Sequence, residues 1–164
     1  MTQASCPAGT TGTPPNCVAI PPPCTQSNLN QGAFPVAPRT FIYSDFSVPE
    51  SGRLDITLDW TFPASPVGFY LVPTGGCTLE EFNARTCNFL VRSETATKPR
   101  KLSQPNFSAG NYRWIVANFS EEQEAANLLI VLSKGTCPAL TSTAVDASAY
   151  DGEDLPQMQR ALRR

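Results

Sequence analysis

Leu54, Ile56, Leu58 and Trp60 alternate with Asp55, Thr57, Asp59 and Thr61, the period-two pattern of a strand with one buried and one wet face. Ile42, Ser44, Phe46 and Val48 run ahead of it, and Pro49-Glu50-Ser51-Gly52 between the two is a turn sequence, so the pair is predicted to form a hairpin. Further strand-like runs are Val67 to Val72, Phe89 to Arg92, Arg100 to Leu102, Tyr112 to Asn118 and Leu128 to Leu132. Pro63, Pro66, Gly75-Gly76, Pro99, Pro105 and Gly110 separate them. Seven or eight short strands in about a hundred residues predict an all-β, jelly-roll-like sandwich.

Two segments depart from alternation. Thr78 with Glu81 three residues on is a capping box, and Leu79 and Phe82 share a face, so a short helix is predicted over Thr78 to Ala84. Near the end, Leu155, Met158 and Leu162 follow a helical spacing, with Glu153 and Asp154 before them and Arg160, Arg163 and Arg164 after, as the helix dipole prefers. That reads as a short amphipathic helix, marginal alone and therefore frayed or docked.

Residues 1–38 hold eight of the sixteen prolines and three of the six cysteines. Pro14-Pro15 and Pro21-Pro22-Pro23 favour polyproline II, and proline supplies no amide donor to a ladder, so this part is predicted to be an extended arm and spacer. The chain thus divides into a Cys/Pro-rich arm (1–38), a β-sandwich (39–138), and a polar spacer with the short helix (139–164).

Composition removes several function classes. Twelve Lys and Arg balance fourteen Asp and Glu, so a nucleic-acid or anionic-membrane partner has no electrostatic footprint. The chain has no histidine, hence no Ser-His-Asp or Cys-His apparatus and no imidazole metal ligand. The longest wholly aliphatic run, Leu128 to Leu132, is far short of the ~20 residues that span a bilayer, and no direct membrane insertion is expected. Residues 1–30 carry no secretory signal, so a removed leader is expected.

The cysteines never occur as C-x-x-C, so disulfides are favoured over zinc or thiol redox chemistry, and an oxidising compartment over the cytosol. Many connectivities are open to six cysteines. Cys6 with Cys17 closes a loop around Gly9 and Gly12, and Cys77 with Cys87 brackets the predicted helix. Cys24 with Cys137 would then pin the arm to the end of the last strand.

Other candidate chemistry is thin. Asp55 and Asp59 share the wet face of one strand, but four residues set their Cα atoms ~13 Å apart, beyond the ~5–9.5 Å of glycosidase carboxylate pairs, so both are expected to be solvated. Glu121, Glu122 and Glu124 lack the Gly and Asp spacing of a calcium loop and read as a charged loop tip or helix start. Trp60 and Trp114 are in phase with core residues, which leaves Tyr43 and Tyr70 as the candidate ligand-facing aromatics for stacking on sugar rings. Asn106 and Asn118 fit the glycosylation pattern.

The phrases Phe46, Val48, Pro49, Gly52, Leu54, Leu58 and Trp60, then Tyr70 to Val72, then Gly110, Tyr112, Val116 and Asn118 resemble the bacterial pre-peptidase C-terminal (PPC-like) domain over roughly residues 40–134. The stretch Cys-Pro-Ala-Gly-Thr-Thr-Gly-Thr-Pro-Pro-Asn-Cys-Val of the arm resembles the Cys/Pro-rich linkers of bacterial envelope proteins. The PPC resemblance implies an exported jelly-roll accessory domain that is not itself catalytic. Family members often carry an acidic phrase before the third strand, associated in some with calcium. Here Ser65-Pro66-Val67-Gly68-Phe69-Tyr70 stands in its place, so no calcium site is carried over and no cofactor is expected.

The sequence therefore reads as a non-catalytic module, secreted or on the surface of a bacterium, whose partner is a protein (its own copies or a surface protein) or a polysaccharide. The alternative is a self-assembling subunit of an extracellular filament or appendage, docking its arm or C-terminal segment on a neighbouring copy.

Overall fold

Leu54, Ile56, Leu58 and Trp60 do point one way, and all four are buried. The computed structural model describes residues 5–94, 97–138, 140 and 157–160. It contains a ribbon of β1 (Thr10–Thr13) and β2 (Asn16–Ala19) and two larger sheets. In the first, β3 (Thr25–Val36), β10 (Glu124–Lys134), β5 (Gly52–Asp59) and β8 (Arg100–Phe107) lie side by side in that order. In the second the order is β11 (Gln157–Arg160), β4 (Thr40–Val48), β9 (Gly110–Asn118), β6 (Val67–Pro73) and β7 (Val91–Ser93). All pairings are antiparallel except that of β11 with β4. From β3 to β10 the chain crosses between sheets at every step but one, β6 to β7, which gives the order of a jelly roll.

That crossing corrects the predicted hairpin of β4 and β5. Pro49 to Ser51 do reverse the chain, but they carry it from one sheet to the other, and the apolar sides of β4 and β5 meet across the sandwich. Between the sheets lie Leu54, Ile56, Leu58, Leu128, Ile130 and Leu132 from one side and Ile42, Phe46, Phe69, Leu71, Trp114 and Val116 from the other. Phe34 packs on Trp114 with ring centroids 5.1 Å apart.

The arm is also corrected. The ribbon occupies its first half, and β3 belongs to the sandwich, paired with β10 from Thr25↔Lys134 to Val36↔Glu124 with a bulge opposite Ile130 and Val131. Proline density misled because the only proline within β3 is Pro35, so the other residues keep their amide donors. Pro21 to Pro23 form the neck between ribbon and sandwich. Thr136 donates from its backbone N (3.1 Å) and Oγ1 (2.9 Å) to the Pro22 carbonyl. Gly135 sits at φ +75°, and a Cβ there would collide with the Pro23 carbonyl oxygen, so this turn needs glycine twice over.

The C-terminal helix is not what forms at 157–160. Gln157 to Arg160 run parallel to Thr40–Tyr43 as a strand, because the open edge of β4 offers backbone partners that so short a helix would forgo. The rest of the predicted helix, Leu155 and Leu162 included, and the spacer but for Leu140 lie outside the described residues.

A second apolar layer covers the outer face of the five-stranded sheet. Helix α1 (Leu79–Asn83) begins with the predicted capping box, Glu81 N donating to Thr78 Oγ1 (3.2 Å) and Thr78 N to Glu81 Oε2 (2.8 Å). Its Phe82 meets Phe41 at 4.6 Å and Tyr70 at 4.8 Å between ring centroids, over Val72, Ile115 and Phe119. The middle of this sheet is therefore buried on both faces.

Candidate functional site

The six cysteines form Cys6–Cys17, Cys24–Cys137 and Cys77–Cys87, the pairs expected from the sequence. The first closes the ribbon. Because side chains alternate along β2, Cys17 and Ala19 face one way and Val18 and Ile20 the other. Val18 is 62% and Ile20 57% exposed, the two most exposed large hydrophobics among the described residues. An isolated two-stranded ribbon has no core of its own, so the disulfide does for it what packing does elsewhere. Residues 1–38 contain no Asp, Glu, Lys or Arg at all. That compositional signal sets ribbon and β3 apart from the rest of the chain.

Of the two candidate tyrosines, Tyr70 is corrected. Phe82 and Phe89 of the disulfide-braced insertion cover it, and its hydroxyl donates to Glu94 Oε1 at 2.5 Å. Arg92 in turn donates to both Glu94 oxygens, at 2.9 and 3.0 Å. Burial first, and then the facing Glu94 carboxylate, push the phenol well above its ordinary range, so Tyr70 stays neutral. Tyr70→Phe is expected to cost about 1–2 kcal/mol in urea unfolding, since Glu94 keeps Arg92 but loses its second donor.

Tyr43 lies at the margin of the insertion and is half-buried. The Arg113 guanidinium sits 4.3 Å from its ring centroid and is fixed there by Asp45, at 2.7 and 3.2 Å. The hydrogen bond to Asp45 raises the Arg113 pKa against the opposing effect of burial. One face of the ring is thus already occupied by a cation.

Asp55 is the largest departure from expectation. It is 3% exposed, on the outer face of the four-stranded sheet, where it gathers groups from neighbouring strands. Arg53 donates from Nε to both carboxylate oxygens (3.0 Å each) and from its terminal nitrogen to Oδ2 (2.9 Å). Ser103 of β8 donates to Oδ1 at 2.7 Å and Ser133 of β10 to Oδ2 at 2.6 Å, while Gln26 of β3 donates to Ser133 at 3.1 Å. Burial pushes this carboxyl up, but the donors from Arg53, Ser133 and Ser103 outweigh it, and its pKa lies below the usual carboxylate range. A carboxylate so held is a weak base, and it orients the two hydroxyls without activating them. Arg53 also reaches the carbonyls of Cys137 (2.9 Å) and Pro138 (2.6 Å), so the row stitches all four strands to the chain leaving β10. Asp59 is the solvated member of the pair, beside Lys98 at 3.1 Å.

The three glutamates do not converge. Glu124 is buried and accepts from Phe62 N at 3.1 Å, Glu121 lies 3.9 Å from Arg39, and Glu122 serves through its backbone carbonyl. No group of three or more His, Cys, Asp or Glu suited to a metal occurs among the described residues. Asn118 is fully buried and donates to the carbonyls of Val36, Ala37 and Glu122, which closes it to glycosylation. No helix among the described residues is long and apolar enough to cross a membrane.

No protein-family model and no curated protein matches this sequence. Among solved structures, the chain is similar in fold to PliG of Aeromonas hydrophila, a periplasmic inhibitor of g-type lysozyme (12% identity, 68% of this chain and 86% of that one, TM-score 0.39). It is likewise similar to the Yersinia pseudotuberculosis-derived mitogen (14%, 75% and 92%, 0.38). A third is the carbohydrate-binding module CBM6cm-2 of Cellvibrio mixtus lichenase 5A, in complex with cellotriose (12%, 66% and 88%, 0.34). What these likenesses share with the chain is the β-sandwich.

Proposed function

We propose that the chain is a non-catalytic binding and structural module exported to an oxidising compartment of a bacterium, as its PPC-like phrases imply, and that it engages a partner protein through the ribbon. The observation that carries this is the uncharged, disulfide-closed ribbon with Val18 and Ile20 turned to solvent. Aliphatic side chains held on a rigid ribbon lose little entropy on docking, and their burial removes apolar surface from water. Three disulfides support the compartment. A protein partner is favoured over a polysaccharide because Tyr70 is buried and Tyr43 is stacked on Arg113.

A photo-crosslinking residue introduced at Val18, in the chain exported by a bacterial host, tests this. A discrete protein adduct from Val18, absent when the same residue is introduced at Thr10, is the expected result. Adducts of equal yield from both positions, or none from Val18, would overturn the ribbon as the docking element.

The second reading, a self-assembling subunit, is favoured by the pairing of β11 with β4. That edge accepts a strand from a distant segment of the sequence, and the same chemistry is open to a strand from another copy. An adduct with the mass of two copies would distinguish this reading from the first.

A further inference from the structure

In the four-stranded sheet, β3 pairs with β10 on one side, and no strand among the described residues lies on the other. Its outer edge is twelve residues long, against a usual strand of about five or six. A free edge of that length exposes a row of backbone donors and acceptors and invites a further strand, so sheet proteins commonly guard such edges with charged side chains. β3 has none. Thr25 to Val36 read Thr-Gln-Ser-Asn-Leu-Asn-Gln-Gly-Ala-Phe-Pro-Val, and on the solvent-facing side Gln26, Asn28, Gln31 and Ala33 are exposed and neutral. Pro35 and the bulge opposite Ile130 and Val131 are the only devices on this strand that disfavour pairing, and Pro35 stands at its end.

We propose that two copies of this chain pair antiparallel through the free edges of β3, so that the two four-stranded sheets continue into one across a two-fold axis. The proposal deepens the self-assembly reading above and rests on it. The occupant follows from charge. In an isologous contact each side chain meets its own kind near the axis, so any charged residue there would face a like charge. An edge with no charge over its whole length is compatible with its own copy, whereas selection of a different partner would gain from complementary charge. Main-chain hydrogen bonds supply the attraction, and the alternation of the exposed amide side chains supplies register.

The test is sedimentation of the full chain over a wide concentration range, for wild type and for Asn28→Lys/Gln31→Lys. Both positions are exposed, so the fold is expected to survive, with an unchanged near-ultraviolet circular dichroism spectrum. The wild type is expected to form a dimer, and the lysines to raise its dissociation constant at least about tenfold by setting like charges across the axis. Because the edge is uncharged, the wild-type constant is expected to be nearly independent of salt. Spin labels at Gln26, Asn28, Gln31 and Ala33, one at a time, test the geometry without adding charge. One position should give a shortest inter-copy distance, lengthening to both sides of it. A chain that stays monomeric overturns both this pairing and the self-assembly reading. A dimer that ignores the lysines and gives no such minimum, but is lost in Val18→Asp/Ile20→Asp, overturns the β3 pairing alone.

Discussion

Replacing Cys24 and Cys137 together by serine is expected to lower the unfolding free energy by about 3–5 kcal/mol at 25 °C. The two residues are 113 apart in sequence, and a cross-link closing a loop of about a hundred residues removes up to ~4.7 kcal/mol of chain entropy from the unfolded state in the chain-entropy model. At ~2–4 °C per kcal/mol for a chain of this size, the thermal midpoint should fall by about 6–20 °C. The loss falls on the whole sandwich, because the bridge joins the start of β3 to the end of β10, and these strands pair along their full length. Cys6→Ser/Cys17→Ser should behave differently. Apart from its own ladder, the ribbon's backbone bonds are local, Thr10 N to Pro7 O and Ile20 N to Gly9 O among them, so opening it should leave the main transition in place. Differential scanning calorimetry of the two double variants decides the matter. Equal midpoints would show that the long loop does not act through the unfolded chain.

Asp55→Ala should cost about 2–4 kcal/mol, because Arg53 keeps only the Cys137 and Pro138 carbonyls and the Ser103 and Ser133 hydroxyls lose the carboxylate they donate to. Asp55→Asn should cost less, since it keeps the shape and one acceptor. The same site sets an acid dependence. A carboxyl whose folded pKa lies below its unfolded value contributes its full stability above that unfolded value, and loses it as pH falls through the folded pKa. The wild-type unfolding free energy should therefore drop as pH falls below about 4. The Asp55→Asn variant should follow a flatter profile there and converge on the wild type in acid. Urea titrations at stepped pH read this directly, and parallel profiles would remove Asp55 as the source.

What could be read from sequence divides by range. The alternation of Leu54 to Trp60, the Thr78–Glu81 capping box and the burial of Trp60 and Trp114 are local patterns, and they carry through to the structure. The partners of a strand are not local. Pro49 to Gly52 signal a reversal with equal force whether the chain returns in the same sheet or in the facing one, and here β5 lies in the facing one. Alternation assigned Asp55 to the outer face correctly, yet its burial comes from Arg53, Ser103 and Ser133, two of which arrive from other strands. Tyr70 is closed off by an insertion whose cysteines were legible but whose landing place was not. β3 was hidden by the prolines on either side of it, although its own composition, once separated from theirs, is that of a chain free to pair.

The bridge between Cys24 and Cys137 also decides how the molecule would carry mechanical load. A tension applied between the ribbon and Pro138 enters at Cys24 and leaves at Cys137, passing through two sulfur atoms and bypassing the 112 residues between them. The jelly roll is short-circuited out of the force path. Pulled in this direction, the module behaves as an inextensible link with a folded domain hung beside it. Reduction would convert that link into a spring whose extension is set by unravelling β3 from β10.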